Sequence, residues 1–432
     1  MANKGPEGWI YTPINSILTD CFAGTWGKTP TDPANANAFA LRSTNIINNN
    51  KLDYTTAAAR LISDKHLKTK TLQHKDVILE ISGGSTDQPV ARPALFDAPD
   101  DRIYICSNFF RTLRADTKKV DQRFLFWSLY NIWDTPETYG YQQQTTGIRN
   151  LNVSAYLEHP VLLPPLPEQK KIAAILSSVD EAIEATEAVI EQTRTIKKGL
   201  LQELLTRGIG HTEFKKTAIG EIPRSWKLKS VDDLCSLSNG HGFRPDDWSD
   251  EGYPIIRIGN LNGSEKFNYF NGEPEPKWLV EPGQLLFAWA GVAGVSFGPT
   301  IWRGKTGVLN QHIYKVHPAK DVDKTWLFEA LQLVTSEIER WAHGFKSSLL
   351  HVRKSDITNQ LIPFPTLEEQ QSIATRSIAL QRVLEDEELQ LSQLKKLKRG
   401  LLQDLLTGKV RVNTLDLPAL LNAEAPAEAL AE

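Results

Sequence analysis

One long internal repeat constrains this chain more than any other feature. Residues 164–169 read PPLPEQ and open a helical pattern that ends in GLLQELLT at 199–206. Residues 365–370 read PTLEEQ and open a similar pattern that ends in GLLQDLLT at 400–407. Gln370 follows Gln169 by 201 residues, and Gly400 follows Gly199 by the same interval. No gap is needed across the repeated segment, which indicates duplication of a whole structural unit.

The repeat extends towards the N-terminus through shorter matches whose offsets drift, as is typical where loops differ in length. Residues 41–46 (LRSTNI) resemble 256–261 (IRIGNL), and residues 76–79 with Gly83 resemble 284–287 with Gly291. Trp9 also resembles Trp226. The chain of 432 residues therefore reads as globular half, helix, globular half, helix.

Each repeated helix has a narrow apolar seam. In the first helix Ile172, Leu176, Val179 and Ile183 alternate steps of four and three, and the second helix keeps the same heptad beat. Because the other faces are charged, these helices are predicted to pair rather than to enter a globular core. A helix of about 35 residues would be roughly 50 Å long. A two-repeat chain commonly closes with pseudo-twofold symmetry, which predicts an antiparallel pair.

The globular halves are predicted to be mixed α/β, which makes the fold class α+β. Short apolar runs bounded by turn residues predict strands at 77–81, 102–106, 254–258, 284–289 and 311–316. Apolar periodicity predicts helices at 122–132 and 324–341. Polar stretches at 140–149 and 343–351 are interpreted as loops that precede the two long helices.

Composition excludes several classes of protein. No apolar run approaches the roughly 18 residues of a membrane span, and the N-terminus lacks the pattern of a secretory signal. Three widely separated cysteines suit neither a disulfide framework nor a zinc site, so a reducing, cytoplasmic setting is expected. The net charge of −3 excludes a generally basic nucleic-acid coat but allows local basic patches.

The motifs of common active sites are missing. Gly27-Lys28-Thr29 and Gly304-Lys305-Thr306 lack the leading glycine of a phosphate-binding loop, since Phe22 and Pro299 occupy that position. No dinucleotide fingerprint, methyltransferase tetrapeptide or HExxH sequence occurs. Asp100, Asp101 and Glu80 lack a nuclease-like Glu-x-Lys partner, so they are interpreted as surface acids. No catalytic, metal or cofactor site is predicted.

Several amide and basic side chains are candidates for DNA binding. Glutamine amides can both donate to and accept from an adenine edge, while arginine and lysine can meet phosphate or guanine. A charged strip that is merely solvated remains the simpler alternative. The candidates are Arg42, Lys65, Lys68, Lys70, Gln142, Gln143, Gln144, Arg149, Arg257, Arg303, Lys305, Lys346, His351 and Arg353.

The arrangement resembles the DNA specificity subunit of type I restriction-modification systems. The strongest motifs are residues 163–206 and 364–407, supported by 6–9, 223–226 and 146–148. The resemblance implies target recognition domains at 1–165 and 209–364, a central spacer helix at 166–208, a distal spacer helix at 365–412 and a flexible tail at 413–432. Each half would read one part of a bipartite double-stranded DNA target, and the paired helices would set the gap.

The same resemblance implies partners and cofactors outside this chain. Two methyltransferase subunits would bind S-adenosylmethionine, and two restriction subunits would use ATP and Mg. The chain itself would be non-catalytic, without a cofactor and without a membrane contact. The alternatives are a stand-alone DNA methyltransferase or nuclease, against which the missing motifs weigh, and a non-enzymatic coiled-coil scaffold, against which the two variable halves weigh.

Overall fold

The computed structural model describes residues 5–85, 88–145, 148–342 and 349–415. The chain divides into two compact units, and each unit takes one part of each long helix. Unit 1 comprises Met1–Glu187 with Leu389–Glu432, and unit 2 comprises Ala188–Glu388. The finer domain boundaries given above stay a prediction, and residues 416–432 of the expected tail lie outside the described ranges.

The globular part of unit 1 is built from short strands and short helices. Its strands are β1 Ile10–Pro13, β2 Leu18–Ala23, β3 Ala38–Leu41, β4 Ala58–Arg60, β5 Val77–Glu80, β6 Ser82–Gly84, β7 Pro93–Leu95, β8 Tyr104–Cys106, β9 Phe110–Ala115, β10 Gln142–Thr145, β11 Ile148–Leu151 and β12 Pro160–Leu163. Its α-helices are α1 Asp64–Lys70, α2 Gln122–Trp133 and α3 Val153–Leu157. Short 3-10 turns lie at Ile14–Ile17, Pro33–Asn35, Ser43–Asn45, Asn48–Asn50 and Pro136–Tyr141. The long helix α4, Leu166–Arg207, follows.

Unit 2 repeats this order. Its strands are β13 Phe214–Thr217, β14 Gly220–Pro223, β15 Lys227–Ser230, β16 Cys235–Asn239, β17 Tyr253–Ile256, β18 Tyr269–Phe270, β19 Leu279–Val280, β20 Leu285–Ala288, β21 Ala290–Val292, β22 Gly298–Ile301, β23 Gly307–Leu309, β24 Ile313–Pro318, β25 Leu349–His351 and β26 Leu361–Phe364. Its helices are α5 Val231–Leu234, α6 Ile258–Leu261, α7 Lys324–Ala342 and α8 Lys354–Thr358, with a 3-10 turn at Pro245–Asp247. The second long helix is α9, Leu367–Leu406.

The two units share one sheet topology. The central antiparallel sheet has the order β2-β9-β5-β7 in unit 1 and β16-β24-β20-β22 in unit 2. In both orders the fourth strand of the set lies between the first and the second. A parallel pair accompanies each sheet, β3 with β8 in one unit and β17 with β23 in the other. The weak matches at 41–46 and 76–79 thus mark equivalent strands and the turns after them.

One aromatic helix fills the core of each unit. In unit 1, α2 buries Phe124, Leu125 and Leu129 against the sheet, and α7 buries Trp326 and Leu327 in unit 2. Both helices begin at an aspartate whose carboxylate accepts backbone N–H bonds from the second and third residues after it, namely Asp121 and Asp323. This N-cap satisfies donors that a buried helix end would otherwise leave unpaired.

The Glu-Gln pair of the repeated motif has the same structural role in both units, which accounts for its presence in both halves of the sequence. Gln169 is buried and links three backbone groups: its Oε1 accepts from the Asp121 N–H at 2.8 Å, and its Nε2 donates to the carbonyls of Pro164 and Lys119. Gln370 makes the same set of bonds in unit 2, to the Asp323 N–H and to the carbonyls of Pro365 and Asp321. One amide therefore ties the start of each long helix to the start of the aromatic helix.

The glutamate beside each glutamine contacts a side chain from the segment that follows the other long helix. Glu168 accepts from Trp9 Nε1 at 3.1 Å and from both Nε and Nη2 of Arg411 at 2.9 Å. In unit 2, Glu369 accepts from Trp226 Nε1 at 2.8 Å and contacts His211 Nε2 at 2.8 Å. The Arg411 hydrogen bonds are the largest cause of the lowered pKa of Glu168. The two tryptophans that match in the sequence thus donate to equivalent glutamates. Each glutamate with its hydrogen-bond partners is called a clamp.

Within each unit the two long helices run antiparallel, which confirms the predicted pairing. In unit 1, Lys398 pairs with Asp180 at 2.5 Å and Lys395 with Glu187 at 2.7 Å. Residue numbers therefore decrease along α9 in the direction in which they increase along α4. In unit 2, Arg194 pairs with Glu388 at 2.6 Å, and Lys197 donates to Gln381 at 2.7 Å. The helices contain 42 and 40 residues, which corrects the length of about 35 that the heptad pattern suggested.

The predicted strands and helices of the halves begin and end within two residues of those observed, but both polar stretches that were predicted as loops contain strands. Of the second stretch, residues 343–348 lie outside the described residues and Leu349–His351 form β25. Residues 142–145 and 148–151 form the antiparallel hairpin β10–β11 rather than a loop. Glutamine has little intrinsic preference for strands, so the pairing depends on neighbouring backbone instead of local sequence.

Candidate nucleic-acid interface

The carboxyl ends of β3 and β8 form one edge of unit 1. Because these strands are parallel, the loops that follow them, Arg42–Thr44 and Ser107–Phe109, emerge side by side. The Ser107 N–H donates to the Leu41 carbonyl at 2.9 Å and holds the loops together. Crevices beyond the carboxyl ends of parallel strands are common ligand sites in α/β folds.

A glycine allows the chain to cross beneath this edge. A side chain at Gly24 would place Cβ 2.0 Å from the Ser107 carbonyl oxygen and 2.3 Å from that of Cys106. Gly240 has the same role in unit 2, where a Cβ would lie 2.2 Å from the Leu309 carbonyl oxygen. No other residue fits without moving backbone.

A small sheet extends the edge in unit 1. The Ile81 N–H donates to the Phe109 carbonyl at 2.7 Å, which brings β6 next to the Ser107–Phe109 loop. Strand β6 pairs with β11, and β11 pairs with β10. Arg92 ties the Arg42–Thr44 loop to the central sheet, because its Nη2 donates to the Ser43 carbonyl while its guanidinium pairs with buried Glu80. The surface formed by these loops and the hairpin is called the reading edge below.

Unit 2 has the same edge. The Asn310 N–H donates to the Ile256 carbonyl at 3.0 Å, so the loops after β17 and β23 are joined as in unit 1. The Trp289 N–H donates to the His312 carbonyl at 3.2 Å, the counterpart of the Ile81–Phe109 bond. Strand β21 pairs with β25, which carries His351. The backbone of the edge is therefore duplicated together with the core.

Side chains on the two reading edges differ. Unit 2 carries Trp289, His312 and His351 with ring centroids 5.1 to 6.2 Å apart. Phe109 of unit 1 stands where unit 2 has His312, and 52% of Phe109 is exposed. Aromatic rings and imidazoles on such an edge can contact base edges or stack on bases, and different sets of them favour different sequences.

Most predicted residues of unit 1 lie on or near its reading edge. Arg42 begins the first loop, and its Nη2 donates to the Thr56 carbonyl at 2.7 Å. Gln142, Gln143 and Gln144 lie in β10, where Gln144 is opposite Arg149 of β11. The Arg149 guanidinium lies 5.5 Å from the Tyr139 ring, and that ring is itself exposed.

The basic candidates of α1 divide into two groups. Lys65 and Lys68 are exposed on α1. Lys70 is half-buried and its Nζ donates to the Ala23 carbonyl at 2.5 Å, close to the Phe22 ring. The structure thus gives Lys70 a role in holding α1 against the sheet.

The candidates of unit 2 are more scattered. Arg257 begins the loop after β17, stacks on Trp248 at 4.5 Å and donates to Asn268 Oδ1 at 2.7 Å. His351 is exposed on β25, and Arg353 is the exposed N-cap residue of α8. Lys346 lies outside the described residues.

Arg303 and Lys305 are exposed in the loop between β22 and β23. Arg303 pairs with Glu385 of α9 at 2.8 Å, and this hydrogen bond is the largest cause of the lowered pKa of Glu385. In unit 1 the matching helix position, Glu184, pairs with Lys51. The Arg303 contact therefore belongs to a repeated link between helix and globular part.

Sequence reasoning missed Trp26, Ser107, Phe109, Trp289 and His312. Single aromatic residues beside a strand usually indicate core. Only the pairing of distant strands brings Trp26, Ser107 and Phe109 together in unit 1, and Trp289 and His312 together in unit 2. The weak repeat carried a usable signal, because an alignment of β8 with β23 places Phe109 opposite His312.

A family model for the type I restriction modification DNA specificity domain matches residues 34–193 and again residues 223–396. The chain belongs to this family. Membership makes it a DNA-recognition subunit of a type I restriction-modification system, which confirms the prediction from the repeat. The two matched regions include the two reading edges and most of both long helices.

Relatives and solved structures agree with this assignment. The MjaVIII specificity subunit of Methanocaldococcus jannaschii is 28% identical over 328 residues, which cover 72% of this chain and 76% of the relative. The EcoKI specificity subunit of Escherichia coli strain K12 is 24% identical, in a match that covers 100% of this chain and 96% of that subunit. The crystal structure of a type I S subunit from M. genitalium has a similar fold, with a TM-score of 0.56 at 16% identity, covering 94% of this chain and 97% of that one.

Other kinds of site were sought in the described ranges. No helix there combines the length and apolar character that a membrane crossing needs. In the same residues, His, Cys, Asp and Glu side chains form no group of three or more that could hold a metal ion.

Proposed function

We propose that each unit reads one part of a bipartite double-stranded DNA target through its reading edge. One observation carries this proposal: the two edges share their parallel strand pair and the joined loops after it, but differ in their side chains. A duplicated scaffold with divergent exposed residues suits two readers that approach DNA in the same way and recognise different sequences. Base-edge contacts specify a sequence, whereas contacts to phosphate set register.

The candidate residues divide accordingly between these two tasks. Gln142, Gln143 and Arg149 would face bases from the hairpin of unit 1, and His351 with Arg257 would do so in unit 2. Lys65 and Lys68 would meet phosphate. A net charge of −3 gives the isolated subunit little general attraction for DNA, so much of the affinity would come from its partners.

The antiparallel helices would act as the spacer and as a docking surface. Two methyltransferase subunits, with S-adenosylmethionine, and two restriction subunits, with ATP and Mg, would supply the catalysis in the cytoplasm. This chain would be non-catalytic. The relatives support this division, since they are specificity subunits.

The test is exchange of one half. Residues 1–165 are replaced by the corresponding half of a relative, the complex is assembled with its methyltransferase subunits, and modified bases are mapped by single-molecule sequencing. We expect one half-site to change and the other to stay. The reciprocal exchange of 209–364 is the control, and a change of both half-sites after either exchange contradicts the proposal.

The spacer is tested separately. An insertion of about four residues near Thr206 is expected to lengthen the gap between half-sites while both recognised sequences stay the same. Altered bases in both half-sites after this insertion would contradict a spacer role.

A further inference from the structure

A cavity of about 450 Å³ opens on the reading edge of unit 1. Its lining includes Trp26, Arg42, Ser43, Ser107, Asn108 and Phe109. Both loops of the edge contribute, so the cavity depends on the parallel pairing of β3 with β8.

Two aromatic side chains form part of the wall. The Phe109 ring is 52% exposed although it lies between the buried residues Ser107 and Phe110. Trp26 is half-buried, and the Arg60 guanidinium stacks 3.9 Å from the centre of its ring. This stack holds the indole in place. Two aromatic side chains in the lining of one cavity provide surfaces on which a flat ring can stack.

Polar atoms around the cavity lack partners. Arg42 Nε, Ser43 Oγ and Ser107 Oγ are buried and have no hydrogen-bond partner among the described residues. Ser107 is only 6% exposed. Buried donors and acceptors are nearly always paired in native proteins, and unpaired ones indicate a missing ligand or a functional role. Rotation of the Ser43 or Ser107 side chain would turn a hydroxyl, which can both donate and accept, towards a ligand bound in the cavity.

A ligand that suits this lining is flat, aromatic and bears hydrogen-bonding groups on its rim, which describes a nucleobase. Bases inside a duplex show only their groove edges, and proteins read those with projecting helices or strands. A cavity accepts a base only when the base leaves the stack, where aromatic stacking and edge hydrogen bonds recognise it. Building on the proposed function, we propose that unit 1 binds one base of its half-site in this cavity, unstacked from the duplex.

Unit 2 carries a different set of side chains at the matching positions. Gly242 stands where unit 1 has Trp26, and the Gln311 amide lies about 3.8 Å from where a Cβ on that glycine would be. Ile258 replaces Ser43, and His312 replaces Phe109. The proposal therefore concerns the half-site of unit 1.

The experiment uses the complete complex of this chain with its methyltransferase subunits and a duplex that contains the mapped target. Fluorescent base analogues are placed singly along the half-site of unit 1, and their fluorescence is measured on binding. We expect one position, separate from any methylated base, to brighten several-fold. Trp26→Ala and Phe109→Ala should abolish this signal and weaken target binding roughly 5- to 150-fold, the range that loss of one stacked base implies.

Matched controls separate the cavity from other causes. Tyr11→Ala, at a half-exposed tyrosine of β1 outside the reading edge, should leave the signal at that position unchanged. A base extruded by the methyltransferase subunits would brighten at its own, different position. Phe109 is largely exposed, so Phe109→Ala keeps the test valid if Trp26→Ala fails to fold. A mismatched partner opposite the bright base should tighten binding, because the base that stacks in the cavity is kept while the cost of unpairing it falls.

The outcomes distinguish the two proposals. If the wild-type complex binds random duplexes as well as its target, the proposed function is contradicted. If it discriminates but no analogue brightens, or if the signal survives both Trp26→Ala and Phe109→Ala, only the cavity assignment is overturned. Binding of free nucleosides that depends on Trp26, without any signal in duplex DNA, would also overturn it and point to a small-molecule site instead.

Discussion

The two units of this chain agree in the buried links that hold each scaffold together and differ at their reading edges. Gln169 and Gln370 make the same three backbone bonds, and Gly24 and Gly240 permit the same close crossing. At the reading edges, by contrast, Phe109 matches His312. Buried bonds tolerate little change because an unpaired polar group or an extra methyl group is costly there. The exposed edge lacks this constraint, so recognition can diverge on a fixed scaffold.

A second comparison concerns two lysines at matching positions of the long helices, Lys398, which is buried, and Lys197, which is half-buried. Lys398 of unit 1 pairs with Asp180, both less than 10% exposed, beneath the Trp127 and Tyr130 rings. Lys197 of unit 2 donates to the neutral amide of Gln381, and Glu329 lies 3.9 Å away. Equivalent lysines thus form a close ion pair in unit 1 and a hydrogen bond to a neutral amide in unit 2.

The largest expected effect follows from this difference. Lys398→Ala leaves Asp180 buried without its partner and should destabilise unit 1 by about 3–5 kcal/mol. Lys197→Ala should destabilise unit 2 less, because Ser377 still donates to Glu329. Hydrogen exchange of α2 and α7 measures the two units separately. Equal losses of protection in both variants would contradict the distinction.

Substitution of the crossing glycines should affect both units alike. Gly24→Ala and Gly240→Ala each bring a methyl group within about 2 Å of backbone carbonyl oxygens, so each should lower the free energy of unfolding of its unit by about 3 kcal/mol. Chemical denaturation followed by hydrogen exchange checks this. Gly140→Ala is the control without a clash, because Gly140 is exposed, a Cβ there meets no atom within 4 Å, and its φ, like those of Gly24 and Gly240, is not positive.

The clamps at the helix starts should differ in their response to acid. The lowered pKa of Glu168 means that its contribution to stability is complete above about pH 4.3, the ordinary value, and is lost as pH falls through the folded-state pKa. Arg411→Ala removes the largest cause of that shift, so acid unfolding of unit 1 should begin at higher pH, with a loss of about 1–3 kcal/mol at neutral pH. His211→Ala is the matched variant in unit 2 and should leave the acid unfolding of unit 1 unchanged.

The smallest effect is expected for the links between helix and globular part. Arg303→Ala and Lys51→Ala each remove an ion pair whose basic side chain is about half exposed or more, so each should change stability by less than about 1 kcal/mol. If Arg303 contacts phosphate, its variant alone should also reduce the salt dependence of DNA binding. A large stability loss in either variant would show that the pair is more strongly coupled than its exposure implies.

The sequence predicted the long helices well and the reading edges poorly. A heptad seam is a local pattern, since its residues are neighbours on one helix, and the 201-residue offset needed only comparison of the chain with itself. Gln142, Gln143 and Arg149 were selected by residue type and do lie on the reading edge. Lys70 was selected on the same grounds, yet its ammonium group binds a backbone carbonyl, because residue type does not say which way a side chain points.

The sequence by itself determined the duplication, the helical seam and the family to which the chain belongs. Only the tertiary structure decided that β3 pairs with β8 and that Trp26, Arg42 and Phe109 meet around one cavity. It also decided that Lys398, one of several basic residues near a helix end, is buried against Asp180. The physical reason is distance along the chain: these contacts join residues far apart in sequence, and burial arises only when strands and helices from separate segments pack together.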